Sequence, residues 1–352
     1  MGKAISNLEK WTYVAGQSAR VAWYAGHYAA INRIRGALTR PGDAPFQPSA
    51  PIPDMKSLVK EIRALFDRDL ANIAHGFYRA PEMRDDPRRL IDKSLRFLLD
   101  ARRVEARRQA RRHKDVEPHE GSNIYPDYYL QNFHYQTDGW LSEGSAELYD
   151  TQVEVLFAGT ADAMRRQALV PIAHYMNARD QRHVSLADIG CGTGRFLREV
   201  KRNWPRMQVT GLDLAPDYLE KTNRALKKWS RAQTVQAPAE ALPFENGSQD
   251  VVTASYLFHE LPPEVRSRTL REIVRVLNPG GQFILIDALQ TGDRVALDGL
   301  LEFFPRAFHE PYFETYLAED FAHHLKDDMS LISEASGYLT KIMCFEKNDV
   351  QR

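Results

Sequence analysis

An apolar run that ends in three alternating glycines constrains this chain more than any other segment. Residues 186–189 predict a buried strand, and Gly190, Gly192 and Gly194 follow it. Glycine lets a ligand approach where a Cβ would collide, and the helix that follows offers free N–H groups. An acid, Asp213, stands 19 residues after the last glycine, at the end of the next apolar run. A carboxylate there can accept both ribose hydroxyl protons, so the segment predicts a nucleoside-binding turn.

The spacing of the glycines separates two classes of nucleoside cofactor. A dinucleotide-binding turn has the pattern G-x-G-x-x-G, but Arg195 occupies the sixth position here. The glycines instead follow G-x-G-x-G, with Asp188 two residues before the first. This pattern resembles motif I of the class I S-adenosylmethionine-dependent methyltransferases, and the resemblance extends over about residues 161–346. The alternative is that the three glycines only form a tight turn between a strand and a helix.

The segments around the glycines alternate between strand and helix patterns, as a doubly wound sheet requires. The sequence predicts strands at residues 184–189, 208–214, 234–237, 250–255 and 282–287, and helices at 195–203, 216–229 and 262–277. Two β-like runs around Gly337, within residues 331–346, predict an antiparallel closing hairpin. The predicted fold class is therefore α/β, the Rossmann-like doubly wound sheet of class I methyltransferases with an antiparallel closing strand.

The first part of the chain predicts a helical accessory region at residues 1–145, followed by the methyltransferase domain at 146–352. Helical patterns cover residues 8–38 and 55–73, separated by a proline-rich connector at 41–53, and Asp86 before Pro87 predicts a third helix that runs to about Arg112. The region is expected to pack on or beside the catalytic domain. Whether it serves as a lid, a homodimer interface or a membrane-surface contact stays open at this point.

The resemblance also implies which residues bind S-adenosylmethionine. Residues 239–244 read A-E-A-L-P-F and resemble a segment of the ubiquinone/menaquinone C-methyltransferases whose backbone reads the adenine edge. Pro238 departs from the family, which usually has Asp or Asn there, so the Ala239 backbone or a neighbour is expected to recognise adenine. The predicted cofactor-binding residues are Asp188, Gly190, Cys191, Gly192, Gly194, Asp213, Leu214, Ala239, Glu240 and Tyr256.

The loop that follows the fourth predicted strand contains His259 and Glu260. This loop is expected to face the methyl group that is transferred. His259 is the first candidate for a general base because its unperturbed pKa lies near neutrality, and Glu260 is the second. The alternative for His259 is a structural hydrogen bond to backbone or a cap on the next helix.

Two aromatic segments predict the acceptor site. Residues 125–140 precede the core and could form a lid over the methyl donor, and residues 303–316 lie where methyltransferases of this type commonly build the acceptor pocket. The alternative for both segments is ordinary packing. The predicted substrate-binding residues are Tyr129, His134, Tyr135, Trp140, Phe308, His309 and Tyr312.

Composition limits the partners and the compartment. The formal net charge is zero, so bulk electrostatics give no reason to expect nucleic acid. The Arg-rich residues 102–114 could contact phosphates or an anionic headgroup, or they are a solvated helix end. No spacing signals a metal site, and two cysteines with no long apolar run predict a cytoplasmic protein without a transmembrane segment.

These observations together predict a methyltransferase that moves the methyl group of S-adenosylmethionine to a small, rather apolar acceptor such as a quinone, phenol, thiol or lipid-like molecule. Two alternatives stay open. One is an RNA or nucleoside methyltransferase that docks through the Arg-rich helix, and the other is a non-catalytic, cofactor-binding regulatory module.

Overall fold

The computed structural model describes residues 6–38, 47–82, 86–116 and 125–349. Its strands are β1 (Ser185–Ile189), β2 (Gln208–Asp213), β3 (Ala232–Gln236), β4 (Gln249–Ser255), β5 (Leu277–Ala288), β6 (Met329–Gly337) and β7 (Thr340–Lys347). They form one sheet in the order β3-β2-β1-β4-β5-β7-β6, in which β7 runs antiparallel to both of its neighbours. The predicted α/β fold with an antiparallel closing hairpin is confirmed.

Helices cover the sheet and precede it. They are α1 (Asn7–Leu38), α2 (Met55–His75), α3 (Pro87–Gln109), α4 (Glu143–Leu156), α5 (Ala161–Arg166), α6 (Leu169–Tyr175), α7 (Arg195–Asn203), α8 (Pro216–Leu226), α9 (Pro263–Val276), α10 (Asp298–Ala307), α11 (Phe313–Tyr316) and α12 (Phe321–Leu325). The predicted helical N-terminal region is present as α1 to α3. Of the proline-rich connector, residues 41–46 lie outside the described residues.

The fifth strand departs from the prediction. It begins at Leu277, directly after α9, rather than at residue 282. Leu277 pairs with Gln249, and regular pairing resumes only where Gln282 meets Val251. The predicted helix-stop residues 278–281 thus form an irregularity within the strand, which the positive φ of Gly280 permits.

The inner strands of the sheet, β1, β2, β4, β5 and β7, are mostly buried on both faces, whereas the edge strands β3 and β6 are largely exposed. Along β5, Ile284 and Ile286 pack into the cluster that contains Leu197 of α7. Phe283 and Leu285 point to the other face, into the cluster that contains the α9 apolar residues. This two-sided core holds the carboxyl ends of β1, β2, β4 and β5 in fixed positions beside one another.

A buried ion pair ties the accessory helices to the rest of the chain. Asp69 of α2 is fully buried and accepts hydrogen bonds from the Tyr13 hydroxyl of α1 at 2.5 Å and from the Tyr78 hydroxyl at 2.7 Å. The guanidinium of Arg166 in α5 donates to both oxygens of the same carboxylate. Since both charged partners are buried, separating α2 from α5 would leave an uncompensated charge, whereas separating α1 would remove only the Tyr13 hydrogen bond.

The third helix has one buried and one exposed face. Phe97 packs with Tyr24 of α1 and Val155 of α4 in a small apolar cluster. Near its end, Arg107 is buried and donates to Thr137 Oγ1 at 2.6 Å, whereas Arg102 and Arg103 are exposed. The Arg-rich run is therefore partly structural and partly a solvated surface. Among the described residues, no helix is both long and apolar enough to cross a membrane.

Candidate active site

The glycine turn opens a cleft at the carboxyl end of β1. Gly190 and Gly192 have φ values of +65° and +54°, and a Cβ on Gly190 would lie 3.1 Å from the Leu257 side chain. Asp213 at the end of β2 closes the turn: its Oδ2 accepts from the Gly192 N–H at 2.9 Å and its Oδ1 accepts from the Ala215 N–H at 2.9 Å. The turn is thereby fixed with its carboxylate at the cleft, as a ribose-binding acid requires.

This cleft, here called the donor cleft, has mixed walls around about 730 Å³ of empty space, counting the part open to solvent. Backbone and small residues line one wall, and aromatic rings of the segment 125–140 line the other. The lining residues include Gly190, Gly192, Asp213, Leu214, Ala237, Ala239, Tyr256, Tyr128, Tyr129, Phe133 and Trp140. The predicted lid thus borders the donor cleft, and we call it the aromatic cover.

One of the polar contacts that hold the aromatic cover to the catalytic domain lies at its edge. The Tyr128 hydroxyl donates to the Glu240 carboxylate at 2.9 Å. Burial raises the pKa of the Tyr128 hydroxyl, and the Glu240 charge raises it further, so Tyr128 is a donor across the physiological range. Further inside the cover, Trp140 makes edge contacts with Tyr149 and Tyr218.

Not every predicted cofactor-binding side chain reaches the donor cleft. Asp188 is buried within the sheet, where its Oδ1 accepts from the Thr253 hydroxyl at 2.6 Å, and burial raises its pKa to about 7. Cys191 belongs to the apolar core, Gly194 begins α7 against Thr222, and Glu240 faces Tyr128. Gly190, Gly192, Asp213, Leu214, Ala239 and Tyr256 line the cleft.

A second cavity lies beside the donor cleft and is mostly apolar, with about 1120 Å³ of empty space, counting the part open to solvent. The accessory helices contribute Tyr28 and Ile31 from α1 and Phe97, Ala101 and Val104 from α3. The catalytic domain contributes the other wall, and its lining residues include Leu156, Phe157, Phe304, Phe308, His134, His259 and Glu260. Neither the glycine turn nor Asp213 lines this second cavity.

Three side chains border both cavities: Tyr149, Tyr256 and Glu260. We call this boundary the junction. Tyr256 lies there because the chain turns sharply after β4, with a φ of +54° that is unusual for an aromatic residue. Its N–H donates to the Ile286 carbonyl at 2.7 Å and its hydroxyl pairs with Thr340, which fixes the ring at the junction.

A charged cluster surrounds Glu260 and consists of His134, His259, Glu260, Asp287 and Glu310. Nδ1 of His259 lies 2.5 Å from Oδ1 of Asp287, and Nε2 of His134 lies 2.7 Å from Oε1 of Glu310. Both imidazoles also face the Glu260 carboxylate, each with Nε2 at 3.9 Å from Oε1. The cluster therefore places one carboxylate between two histidine–carboxylate pairs.

Burial and charge shift the pKa of each central group. Burial alone would lower the pKa of His259, but the Asp287 carboxylate more than offsets it and raises the pKa to about 9. For Glu260, burial raises the pKa to about 8, and the nearby Glu310 charge acts in the same direction. The Glu310 carboxylate likewise raises the pKa of His134 against its burial. A carboxyl group that ionises near neutral pH is suited to proton transfer.

The cluster was only partly foreseen from the sequence. His259 and Glu260 were predicted as catalytic residues, but Asp287 and Glu310 were not, because they come from distant segments. The ligand atoms of His134, Glu260 and Glu310 lie within 4.8 Å of one another, which is also compatible with a divalent metal ion. No local sequence pattern indicates such a set, because its members are far apart along the chain.

The predicted substrate-binding residues divide among several places. His134 and Phe308 line the second cavity, whereas Tyr129 and Trp140 line the donor cleft. His309 lies outside both sets of lining residues, with its Nε2 at 2.7 Å from the Gln131 side chain and its ring stacked on His113. Tyr135 and Tyr312 also lie outside both and pack within the protein.

Residues 186–281 match the family model described as a methyltransferase domain. The chain is 33% identical over 161 residues to a demethylmenaquinone methyltransferase from Lactococcus lactis, covering 44% of this chain and 60% of that protein. It is 32% identical over 114 residues to a sterol 4-C-methyltransferase from Caenorhabditis elegans, covering 32% of this chain and 33% of that protein.

A solved structure is also similar: a SAM-dependent methyltransferase from Methanosarcina mazei, with 20% identity and a TM-score of 0.40. The match covers 51% of this chain and 97% of that one. The chain spans less than two thirds of the length of these two curated relatives.

Proposed function

We propose that this chain, which carries a class I S-adenosylmethionine-dependent methyltransferase domain, transfers the methyl group of that cofactor to a small, apolar acceptor. The observation that carries the proposal is the junction, where a nucleoside-type cleft meets a mostly apolar cavity at Glu260. The acceptor classes considered from the sequence, which are a quinone, phenol, thiol or lipid-like molecule, all fit such a cavity.

The residues of the donor cleft suit S-adenosylmethionine. Asp213 would accept the ribose hydroxyl protons, Gly190 and Gly192 would pass beneath the nucleoside without side-chain collision, and Ala239 would offer its backbone to the adenine. The aromatic rings at the junction, Tyr149 and Tyr256, have π faces that attract a sulfonium cation. When bound, the cofactor supplies an activated methyl group on a neutral thioether leaving group.

At the junction, the protein has to position the reacting atoms and exclude water from them. Holding donor and nucleophile in line can supply an effective molarity on the order of 10⁵ to 10⁸ M. Where the acceptor atom carries a proton, we propose that the Glu260 carboxylate removes it, because Glu260 borders both cavities. His259 does not line the donor cleft and is bonded to Asp287. We therefore assign His259 to positioning Glu260 rather than to proton abstraction.

The second cavity supports an apolar acceptor over a nucleic acid. Phe97, Val104, Phe157, Phe304 and Phe308 line it, and its lining also includes charged groups, namely Glu260 at the junction, Asp100 and Glu105 of α3, and Arg165. The apolar part of an acceptor molecule could therefore be buried along the cavity, with its reactive group next to Glu260. We also propose that residues 1–145 act as the accessory part of residues 146–352, since α1 and α3 form one wall of this acceptor cavity.

The experiment is methyl transfer from cofactor with an isotopically labelled methyl group to a panel of quinones, phenols, thiols and lipid-like hydroxy compounds. The expected result is one labelled product class whose formation requires the protein. An inactive variant, Glu260→Gln, that still binds the cofactor serves as the control. Label in RNA and in none of the small molecules would contradict the proposal, as would cofactor binding without any labelled product from this panel or a cell extract.

A further inference from the structure

The outward face of α3 carries an uninterrupted apolar stripe. Ile91, Leu95 and Leu99 follow one another at helical spacing, and their side chains are 52%, 59% and 68% exposed. Residues four apart lie on the same face of a helix, so the three side chains form one strip of apolar surface. The inward face, with Phe97, is already packed against α1 and α4.

Basic side chains extend the stripe at both ends. Arg88 stands three residues before Ile91, and Arg102 stands three residues after Leu99, so both continue the same face. Arg103 is exposed beside them, and no carboxylate forms an ion pair with Arg88, Arg102 or Arg103 among the residues that the structure describes. The exposed acid on the helix is Asp92, which pairs with Arg96 at 3.0 Å. The face is therefore apolar along its middle and cationic at its ends.

The neighbouring helix adds aromatic residues of the kind found at membrane interfaces. Trp23 and Tyr28 of α1 are 39% and 45% exposed, and Trp23 contacts His27, which in turn contacts Phe97 of α3. Tryptophan and tyrosine favour the boundary between hydrocarbon and water. The same two helices form a wall of the second cavity through Tyr28, Ile31, Phe97, Ala101 and Val104.

We propose that α3 and the adjacent part of α1 dock this protein on the surface of an anionic lipid bilayer. The apolar stripe would enter the headgroup boundary, and the flanking arginines would meet lipid phosphates. This placement would bring a wall of the second cavity to the bilayer, from which an apolar acceptor could enter. The docking itself does not rest on the proposed function, because it requires no turnover.

The test is sedimentation of the full chain with phosphatidylcholine vesicles, with and without an equal amount of phosphatidylglycerol. Binding to the anionic vesicles is expected to exceed binding to the neutral ones. The variant Leu95→Gln/Leu99→Gln should weaken partition at least tenfold, and Arg88→Gln/Arg102→Gln should weaken it about fivefold for each arginine. Since all four side chains are exposed, these variants should keep the circular dichroism and cofactor affinity of the parent protein.

Ile332→Gln is the matched control, because Ile332 is an exposed apolar residue of the edge strand β6, away from α3. It should bind vesicles as the parent does. Absence of binding to anionic vesicles, or equal binding by Leu95→Gln/Leu99→Gln, would overturn the proposal. If the parent forms a dimer that this same variant dissociates, and vesicles do not bind, the occupant of the stripe is a second copy and the proposal is wrong.

Discussion

The imidazole of His259 and the carboxylate of Asp287 form a buried pair, with Nδ1 of the ring 2.5 Å from Oδ1. A carboxylate only accepts hydrogen bonds, so Nδ1 carries the shared hydrogen and Nε2 is left facing Glu260. Asp287 is itself fixed because its Oδ2 accepts from the Phe258 N–H at 2.8 Å. The pair therefore determines the orientation of the ring beside the carboxylate that borders both cavities.

Glu260→Gln should reduce kcat by about 10² to 10⁴ while leaving the affinity for S-adenosylmethionine within about twofold of the parent value. The amide keeps the shape of the side chain but cannot accept a proton. Isothermal titration and single-turnover rates measure the two effects. Glu264→Gln, which removes an exposed carboxylate on α9, should change neither. A lower kcat/KM that comes only from a higher KM, with kcat unchanged, would contradict the assignment of Glu260 as the base.

The rate of methyl transfer to an acceptor that carries a proton should rise with pH and reach half its maximum near pH 8. Burial raises the pKa of Glu260 to about 8, so the carboxyl group is protonated below that pH and cannot act as a base. The measurement is kcat against pH with saturating cofactor. A flat profile, or activity that is lost on chelation and restored by a divalent metal, would show that the charged cluster acts in another way.

Asp287→Asn should destabilise the fold by about 3–5 kcal/mol at neutral pH, because it leaves His259 buried without its partner. The pKa of His259 is raised to about 9, above its ordinary value of 6.5. The stabilisation from this pair is therefore complete below about pH 6.5 and is lost as the pH rises through about 9. Urea unfolding from pH 6 to 10 should show parent and variant converging at the alkaline end, and a constant difference would refute the linkage.

Asp213→Asn should weaken S-adenosylmethionine binding by about ten- to a hundredfold, since hydrogen bonds to a charged acceptor contribute about 1.5–3 kcal/mol. The same change weakens the contact that orders Gly192. Calorimetric titration measures the affinity, with Glu220→Gln on the exposed side of α8 as the control. Unchanged cofactor affinity in Asp213→Asn would remove the ribose role from this carboxylate.

Asp69→Asn should cost about 3–5 kcal/mol of stability because Arg166 remains buried and charged. Replacing both partners, as Asp69→Leu with Arg166→Met, should cost less than the single change, since no unpaired charge is left. Urea unfolding of the three proteins tests this. A double variant that is less stable than Asp69→Asn would mean that the hydrogen bonds of Tyr13 and Tyr78 matter more than the charge.

The parts of the molecule that depend on short-range sequence pattern could be predicted. The strand, the glycines and Asp213 lie within 28 residues, from 186 to 213, and their geometry follows from backbone rules that a local pattern expresses. The helix over Arg195–Asn203 was predicted with the bounds it has in the structure. The start of β5 was misplaced because asparagine, proline and glycines signal the end of a helix and a strand irregularity equally well.

The charged cluster around Glu260 could not be predicted in the same way. Glu310 meets His134 across 176 positions of the chain, and the tertiary packing that sets the His134 ring against Phe304 of α10 and Phe308 brings them together. Asp188 shows the opposite case: its place before the glycines suggested a cofactor role, yet its side chain turns toward Thr253 inside the sheet. Sequence position identifies the end of a strand but does not say which way a carboxylate points.

The contact between Tyr128 and Glu240 has a consequence for turnover. An outward movement of the aromatic cover would break this hydrogen bond and part Tyr129, Phe133 and Trp140 from the opposite wall of the donor cleft. Under the proposed function, we expect that movement to precede release of the demethylated thioether and to limit turnover. If opening of the aromatic cover limits turnover, product should form in an initial burst equal in amount to the protein, followed by a slower steady phase.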